Sequence, residues 1–421
     1  MKSPTMPHLQ LHWDHFMSKV DPEAVTTAHR NLAARIGSRE VGFYGWAGED
    51  HSELLGRIKT TVEGFQRDTD AVICFGIGGS YLGPSCLLEA LRSPSQKERY
   101  PMEWLCNADP ASIERCSHFL HQRRKVAGVV ISKSGGTTET LSGFIHLSKH
   151  LDSNHIAVVT DPDSGELCRL AKQHQWKHFE IPKNIGGRFS VLTAVGLLPC
   201  ALGSIPVERI LNGAREMKEA LDRSAATANP ALLFAFALFR WNREGKSVVY
   251  LMPYTSQLKQ LSDWFVQLWA ESIGKPLRAD PKTHVGFTPV AALGTSDQHS
   301  VLQLMKEGPS DKIVGFVDVA EAPSATIGEP AFGLAPEFRY LCRHTFKDLA
   351  HQACLATEKS LQNSGVPTFR FQMEQVTPEA LGAFLFFMET ACAYAGELYG
   401  VNAFNQPGVE ESKRLLQRAL R

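Results

Sequence analysis

The chain has 421 residues, 43% hydrophobic and 21% charged, so a sizeable packed core divided among two or three domains of roughly 150 residues each is expected. Lys plus Arg and Asp plus Glu balance at 44 each, which argues against a nucleic-acid or anionic-membrane surface. The longest clean apolar run, Ala231–Phe239, is too short to span a bilayer. The opening MKSPTMPHLQLHWDHF lacks the apolar centre of a signal peptide, and nine scattered cysteines without a C-x-x-C pair suit a reduced, cytoplasmic setting with no metal cluster.

Residues 1–45 read as an irregular and helical arm, with Asp21-Pro22-Glu23 starting a short helix that Gly37 ends. From about residue 50 strand, turn and helix alternate. The apolar runs Ala71–Phe75, Val126–Ile131, Ile156–Val159, Val248–Met252, Val290–Leu293 and Ile313–Val317 suit strands buried on both faces. Between them lie helical stretches such as Ser112–Gln122 and Gly165–His174, an alternation that predicts parallel sheets covered by helices. The series divides at the polar stretch near residue 225, after which Asn229 caps and Pro230 begins an apolar helix. This gives an arm over 1–45, two similar α/β domains over 46–225 and 226–400, and a C-terminal loop and helix over 401–421. The Pro- and Gly-rich segment Ala320–Pro336 reads as an excursion loop, Thr377-Pro378 opens a long helix stopped by Gly400, and Val409–Leu420 forms the last helix.

The stretch AVICFGIGGSYLGP, Ala71–Pro84, reads as a buried strand, a glycine turn and a helix opened by Ser80. Its Gly79-Ser80 turn can bring backbone N–H groups close to an anion. It is neither a dinucleotide fingerprint, since Tyr81 stands where a glycine is needed, nor a P-loop, since Gly83 precedes Pro84 instead of Lys. Taken alone, a plain strand-to-helix turn explains it equally well. The next turn, GVVISKSGGTTET, gathers Ser132, Lys133, Ser134 and Thr137 at a second strand-to-helix junction. Several hydroxyls and one ammonium there make a cradle for a phosphoryl group, although a Ser/Thr-rich helix cap has the same composition. Two such turns at neighbouring strand C-termini match the ligand-binding edge of an open α/β sheet.

Arg188, in GGRFS, can steady negative charge from a glycine turn, and alone it would read as a surface arginine. In the helix Ser256–Gly274 the apolar positions recur at helical spacing, and Glu271 falls on or beside that stripe. A carboxylate so placed should be desolvated, with its pKa raised as a general base near neutrality needs; for any single glutamate an exposed helix end is the commoner case. GTSDQH presents Gln298 and His299 at another strand end, where an imidazole can move protons near pH 7. Lys413, behind Glu410 and Glu411, reads by spacing as an ordinary surface pair.

Together GIGGSYLG, ISKSGGTTET, GGRFSVLTAVGLLP, QLWAESIGK, GTSDQHSVLQL and VNAFNQPGVEESK, in that order from residue 76 to 413, resemble the glucose-6-phosphate isomerase (phosphoglucose isomerase) family. The resemblance implies two sugar-isomerase (SIS) domains, each an αβα sandwich around a parallel sheet. It also implies a homodimer with shared active sites, glucose 6-phosphate and fructose 6-phosphate as substrates, and no metal or cofactor. Carried over residue by residue, it makes Glu271 the base at C1/C2 and His299 the ring-opening residue, a histidine the family usually draws from the neighbouring subunit. Lys413 becomes its partner, Arg188 the stabiliser of the enediolate, and Gly79, Ser80, Ser132, Lys133, Ser134, Thr137 and Gln298 the substrate contacts. Three features depart from the family: Gly136 where relatives carry a hydroxyl, Ala403 in place of a proline, and a shorter chain. A glucosamine-6-phosphate synthase would need an N-terminal cysteine nucleophile, whereas this sequence begins Met1-Lys2-Ser3 and its first cysteine is Cys74. A dual isomerase that also takes mannose 6-phosphate stays open. A non-catalytic sugar-phosphate sensor would usually append a basic DNA-binding module, which this neutral chain lacks.

Overall fold

Helix starts in this chain are written into its capping residues, and the computed structural model, which describes residues 5–13, 20–92 and 100–421, uses them. Asp21 caps Pro22–Gly37, its carboxylate accepting from the N–H groups of Glu23 and Ala24 at 3.0 and 3.2 Å. Asn229 accepts from Ala231 and Leu232 at the head of Pro230–Arg243, both at 3.1 Å. Thr377 caps the 22-residue helix Pro378–Tyr399, which ends at the left-handed Gly400.

Thirteen strands are found among the described residues. β1 (Thr5–Met6) and β2 (Leu9–Trp13) lie in the arm expected to be irregular and helical, and instead pair with each other and, through β2, with the second sheet. β3 (Ala71–Phe75), β4 (Met102–Leu105), β5 (Val126–Ser132), β6 (Ile156–Thr160) and β7 (Lys177–Glu180) form one parallel sheet in the order β4-β3-β5-β6-β7. β8 (Val248–Pro253), the short pair β9 (Lys275–Pro276) and β10 (His284–Val285), β11 (Thr288–Ala291), β12 (Lys312–Val319) and β13 (Thr368–Met373) follow. The second sheet runs β1-β2-β13-β12-β8-β11, and all its neighbours from β13 to β11 are parallel. Each sheet sets its first parallel strand between its second and third, so β3 and β8 hold equivalent places.

Both β13 and β4 went unread in the sequence, for physical reasons. β13 alternates, with Phe369 and Phe371 buried and Arg370 and Gln372 partly exposed, because β2 covers it as an antiparallel edge, Leu11 opposite Phe371. β4 is only four residues, two of them half-buried. β11 begins two residues before the predicted run because its register with β8 starts at Thr288; its Pro289 suits an edge strand. The excursion after β12 is as expected, with Phe332 and Tyr340 well exposed and a single bridge between Thr326 and Thr345.

The helix Pro378–Tyr399 is the axis of the core. By length and mean hydropathy, 1.2, it could cross a bilayer, yet 89% of the window so measured is buried inside the protein. It crosses the helix Val207–Asp222 in backbone contact. A methyl at Gly213 would sit 1.9 Å from the Glu379 carbonyl oxygen, and one at Gly382 1.9 Å from that of Ile210. Near the middle of this helix Glu389 is wholly buried, and neither carboxylate oxygen has a hydrogen-bond partner.

Burial holds the Glu389 carboxyl well above the usual carboxylate range. The unfolded chain releases this proton near its ordinary value, about 4.3, while the folded chain keeps it, so this contribution to stability is full below that pH and is lost as pH rises. Glu389→Gln keeps the shape and removes the titration. Melting curves at pH 5 and pH 8 should show little difference from wild type at pH 5 and a higher midpoint for the variant at pH 8. Parallel pH dependence in the two proteins would contradict this.

Candidate active site

Two helices begin at the C-terminal ends of neighbouring strands. After β3 the chain turns at Gly78 (φ 58°) into Gly79–Leu91, and after β5 it turns at Thr137 into Thr138–Leu147; neither helix has a side-chain cap. Helix starts without such caps leave N–H donors for an anion. Around the second start the Ser132 and Thr137 hydroxyls lie 2.8 Å apart, and the Ser134 hydroxyl accepts from Gly136 N–H at 3.3 Å. Lys133 is differently employed. Its ammonium donates to the carbonyls of Lys183 and Ile185 at 2.9 and 2.7 Å, and burial lowers its pKa. It thereby ties the hydroxyl-rich turn to the loop that leads to Arg188.

Gly79 is the point where the first turn meets that loop. A methyl there would lie 2.3 Å from the Gly187 carbonyl oxygen and 2.8 Å from Arg188 N, both backbone atoms. Only a residue without a side chain permits this approach.

Arg188 is 3% exposed, and each of its five N–H donors has an acceptor. Nε donates to the Ser272 hydroxyl at 2.6 Å. Nη1 reaches Glu271 Oε2 at 3.3 Å and Gln406 Oε1 at 3.0 Å. Nη2 donates to the carbonyl of Ala403 and, at 3.1 Å, to that of Asn405. Burial lowers the guanidinium from its ordinary value, and the Glu271 charge opposes that shift.

Glu271 sits in the last turn of Lys259–Ile273, on the face of that helix turned toward Arg188. Gln267, one turn earlier, donates to Glu271 Oε1 at 3.1 Å and lies against Gly78. The expected desolvation of Glu271 is only partial. Its side chain is 34% exposed, because the apolar stripe through Trp264 and Leu268 turns into the core and leaves the carboxylate at its margin. A base that must reach a substrate needs this open side.

The remaining expected residues are not drawn to this cluster. His299 is exposed at the end of a short 3-10 turn, Ser296–His299, and no side-chain hydrogen bond joins it to the described residues. Gln298 is half-buried with an unpartnered Oε1. Lys413 is exposed on Glu410–Ala419 and pairs with Glu410 at 2.7 Å, the surface i,i+3 pair its spacing suggests. Sequence reasoning passed over Gln267, Ser272 and Gln406. Gln267 was readable from its four-residue spacing to Glu271, which puts both on one helix face.

A parallel sheet covered by helices and repeated twice is the SIS-type fold. Residues 61–421 match the family described as phosphoglucose isomerase. A glucose-6-phosphate isomerase of Carboxydothermus hydrogenoformans is 36% identical over 409 residues, covering 93% of this chain and 87% of the relative. The crystal structure of a hypothetical protein from Thermus thermophilus superposes with a TM-score of 0.87 at 33% identity, covering 97% of this chain and 99% of that one. A glucose-6-phosphate isomerase from Chlamydia trachomatis, 21% identical, shares the fold with a TM-score of 0.79 over 100% of this chain and 89% of its own. The chain belongs to the phosphoglucose isomerase family.

Proposed function

We propose that the chain interconverts D-glucose 6-phosphate and D-fructose 6-phosphate, with Glu271 moving the proton and Arg188 holding the charge. The observation that carries this reading is the Glu271–Arg188 contact at 3.3 Å, partly open on the carboxylate side and closed on the guanidinium side. In the open-chain sugar Glu271 takes the proton from C2, the electron pair forms the C1–C2 double bond, and negative charge collects on oxygen. Arg188 stabilises that enediolate; O1 takes up a proton as the 2-hydroxyl gives one up, and return of the proton to C1 as C2 becomes the carbonyl completes the aldose-to-ketose step. The step is redox-neutral within the sugar, so it calls for no external oxidant or reductant. Ser132, Ser134, Thr137 and the N–H groups at Thr138–Leu147 bind the phosphate, with Gly79, Ser80 and Gln298 on the sugar. Lys133 acts through its hold on the 183–185 carbonyls.

His299 and Lys413 open the ring in this reading, in a homodimer whose second copy brings His299 to the site. The exposure of both residues supports that assignment, as does the exposed apolar edge of the last helix, Leu415 and Leu420. The two sandwiches over 46–225 and 226–400 are proposed as its domains, with the site at their junction. Nine free cysteines suit the cytoplasm.

The test is turnover. Purified protein given fructose 6-phosphate, with glucose 6-phosphate followed by a coupled dehydrogenase, should convert it with and without chelator. Mannose 6-phosphate run alongside decides whether the function is dual. Folded protein that binds fructose 6-phosphate without converting it would overturn the enzyme in favour of a sensor.

A further inference from the structure

The loop that leaves the central helix, residues 400–406, is held by four cations from three segments of the chain. Arg35, on Pro22–Gly37, reaches Asn402 Oδ1 at 3.1 Å, and Arg278 donates to the Val401 carbonyl at 2.8 Å. Arg188 takes the carbonyls of Ala403 and Asn405. Lys275, 8% exposed, directs its ammonium at three acceptors: the carbonyls of Asn402 and Asn405 and, at 3.1 Å, Asn405 Oδ1. The Asn405 carbonyl is therefore shared between Lys275 and Arg188, and the next residue, Gln406, is the one that faces Arg188 Nη1.

We propose that Lys275 is a positioning residue: by clamping the Asn402–Asn405 loop it fixes Arg188 and Gln406 against Glu271 for the charge-stabilising step. This rests on the isomerase reading above. The argument is one of donors and acceptors. An ammonium has three N–H groups and here finds three oxygens, so its loss takes the donor from the Asn402 carbonyl and Asn405 Oδ1 and leaves the Asn405 carbonyl to Arg188 alone. The loop then relaxes away from Arg188, which keeps its charge but loses its aim, and small misplacements of a catalytic group are costly. The hydroxyl-rich turn after β5 shares no hydrogen bond with Lys275 among the described residues. Catalysis should therefore suffer more than binding.

The surroundings of Lys275 add a pH signature. Facing it are Arg188 from the glycine turn, Glu271 from its helix, Cys392 from the central helix and Arg278 from beyond β9; burial first, and the Arg188 charge second, lower its ammonium to about 8. Above that pH the folded protein gives up the third N–H donor. Because the folded value lies below the unfolded one, this deprotonation favours the folded state, so the attendant fall in activity is not unfolding.

The experiment compares wild type with Lys275→Met, which keeps length and removes the charge. Wild-type kcat should fall above about pH 8; in the variant kcat should be about tenfold or more lower while KM stays within about threefold, and that alkaline limb should be absent. Circular dichroism and melting curves check that the variant is folded. A folded Lys275→Met with kcat within about twofold of wild type, a loss confined to KM, or an unchanged alkaline limb overturns the proposal. If Lys275→Met does not fold, Asn405→Ala, which removes one acceptor and strands no buried charge, should lower kcat in the same direction at constant KM; a wild-type kcat there overturns it. Absence of turnover in folded wild type would sink the isomerase reading and this inference together, whereas an active wild type with an indifferent Lys275 sinks this inference alone.

Discussion

Glu271→Gln should lower kcat by about 10²–10⁴-fold, the range a positioned general base contributes, with KM little changed. The substitution is nearly isosteric. Its amide oxygen can still accept from Arg188 Nη1, and its amide nitrogen can donate to Gln267, whose Oε1 is buried and unpartnered, once that side chain flips. What disappears is the acceptor for the C2 proton. The sharper measurement is exchange of that proton with solvent: wild type should wash deuterium into recovered substrate, and the variant should not. A Gln variant that still exchanged at the wild-type rate would remove Glu271 from the mechanism.

Arg188→Met should act on both activity and stability. Removing the guanidinium takes away the charge facing the developing enediolate, a loss of about 10²–10³ in kcat by comparison with other oxyanion donors. It also strips the donor from the buried Ser272 hydroxyl and Ala403 carbonyl, at a cost of about 1–3 kcal/mol, and frees Gln406, while the Asn405 carbonyl keeps Lys275. Arg188→Lys restores the charge but cannot fill five acceptors in a plane, so it should recover little of kcat. Binding of a five-carbon phosphorylated aldonate, a mimic of the enediolate, reads the electrostatic part directly. It should weaken in Arg188→Met far more than binding of fructose 6-phosphate does. Equal weakening of the two ligands would show that Arg188 serves general affinity, not the intermediate.

Much of this fold could be read from composition along the chain, because buried parallel strands are short, β-branched and continuous. Ala71–Phe75 was legible to the residue, and Val126–Ser132 and Ile156–Thr160 to within one. β2 was not, because its apolar residues face one side only and its partner, β13, lies some 360 positions away, as in the His12–Gln372 contact. The site divides the same way. Turns at strand ends carry local signals, so Gly79, Ser132 and Arg188 could be singled out, each beside an equally plain structural reading. The five acceptors of Arg188 come from residues 271–272 and 403–406, and no window of sequence joins them. Glu271 was found by its helical face, but its exposure depends on which side of the stripe meets the core. Lys133 had the right company for a phosphate ligand, yet the distant carbonyls of Lys183 and Ile185 claim it.

The crossing at Gly213 and Gly382 has a bearing on how the chain comes into being. The helix Val207–Asp222 buries Ile210, Ala214 and Met217, and its closest neighbour is a helix that ends at Tyr399. On the ribosome the earlier sheet is complete by residue 180, but the Val207–Asp222 helix lacks its main cover until the helix Pro378–Tyr399 has emerged. The later sheet, in turn, pairs its last strand with one from much earlier in the sequence, Leu9–Trp13, which must be kept available until Thr368–Met373 is made. Early and late segments are thus each held back for the other: Val207–Asp222 for Pro378–Tyr399, and Leu9–Trp13 for Thr368–Met373.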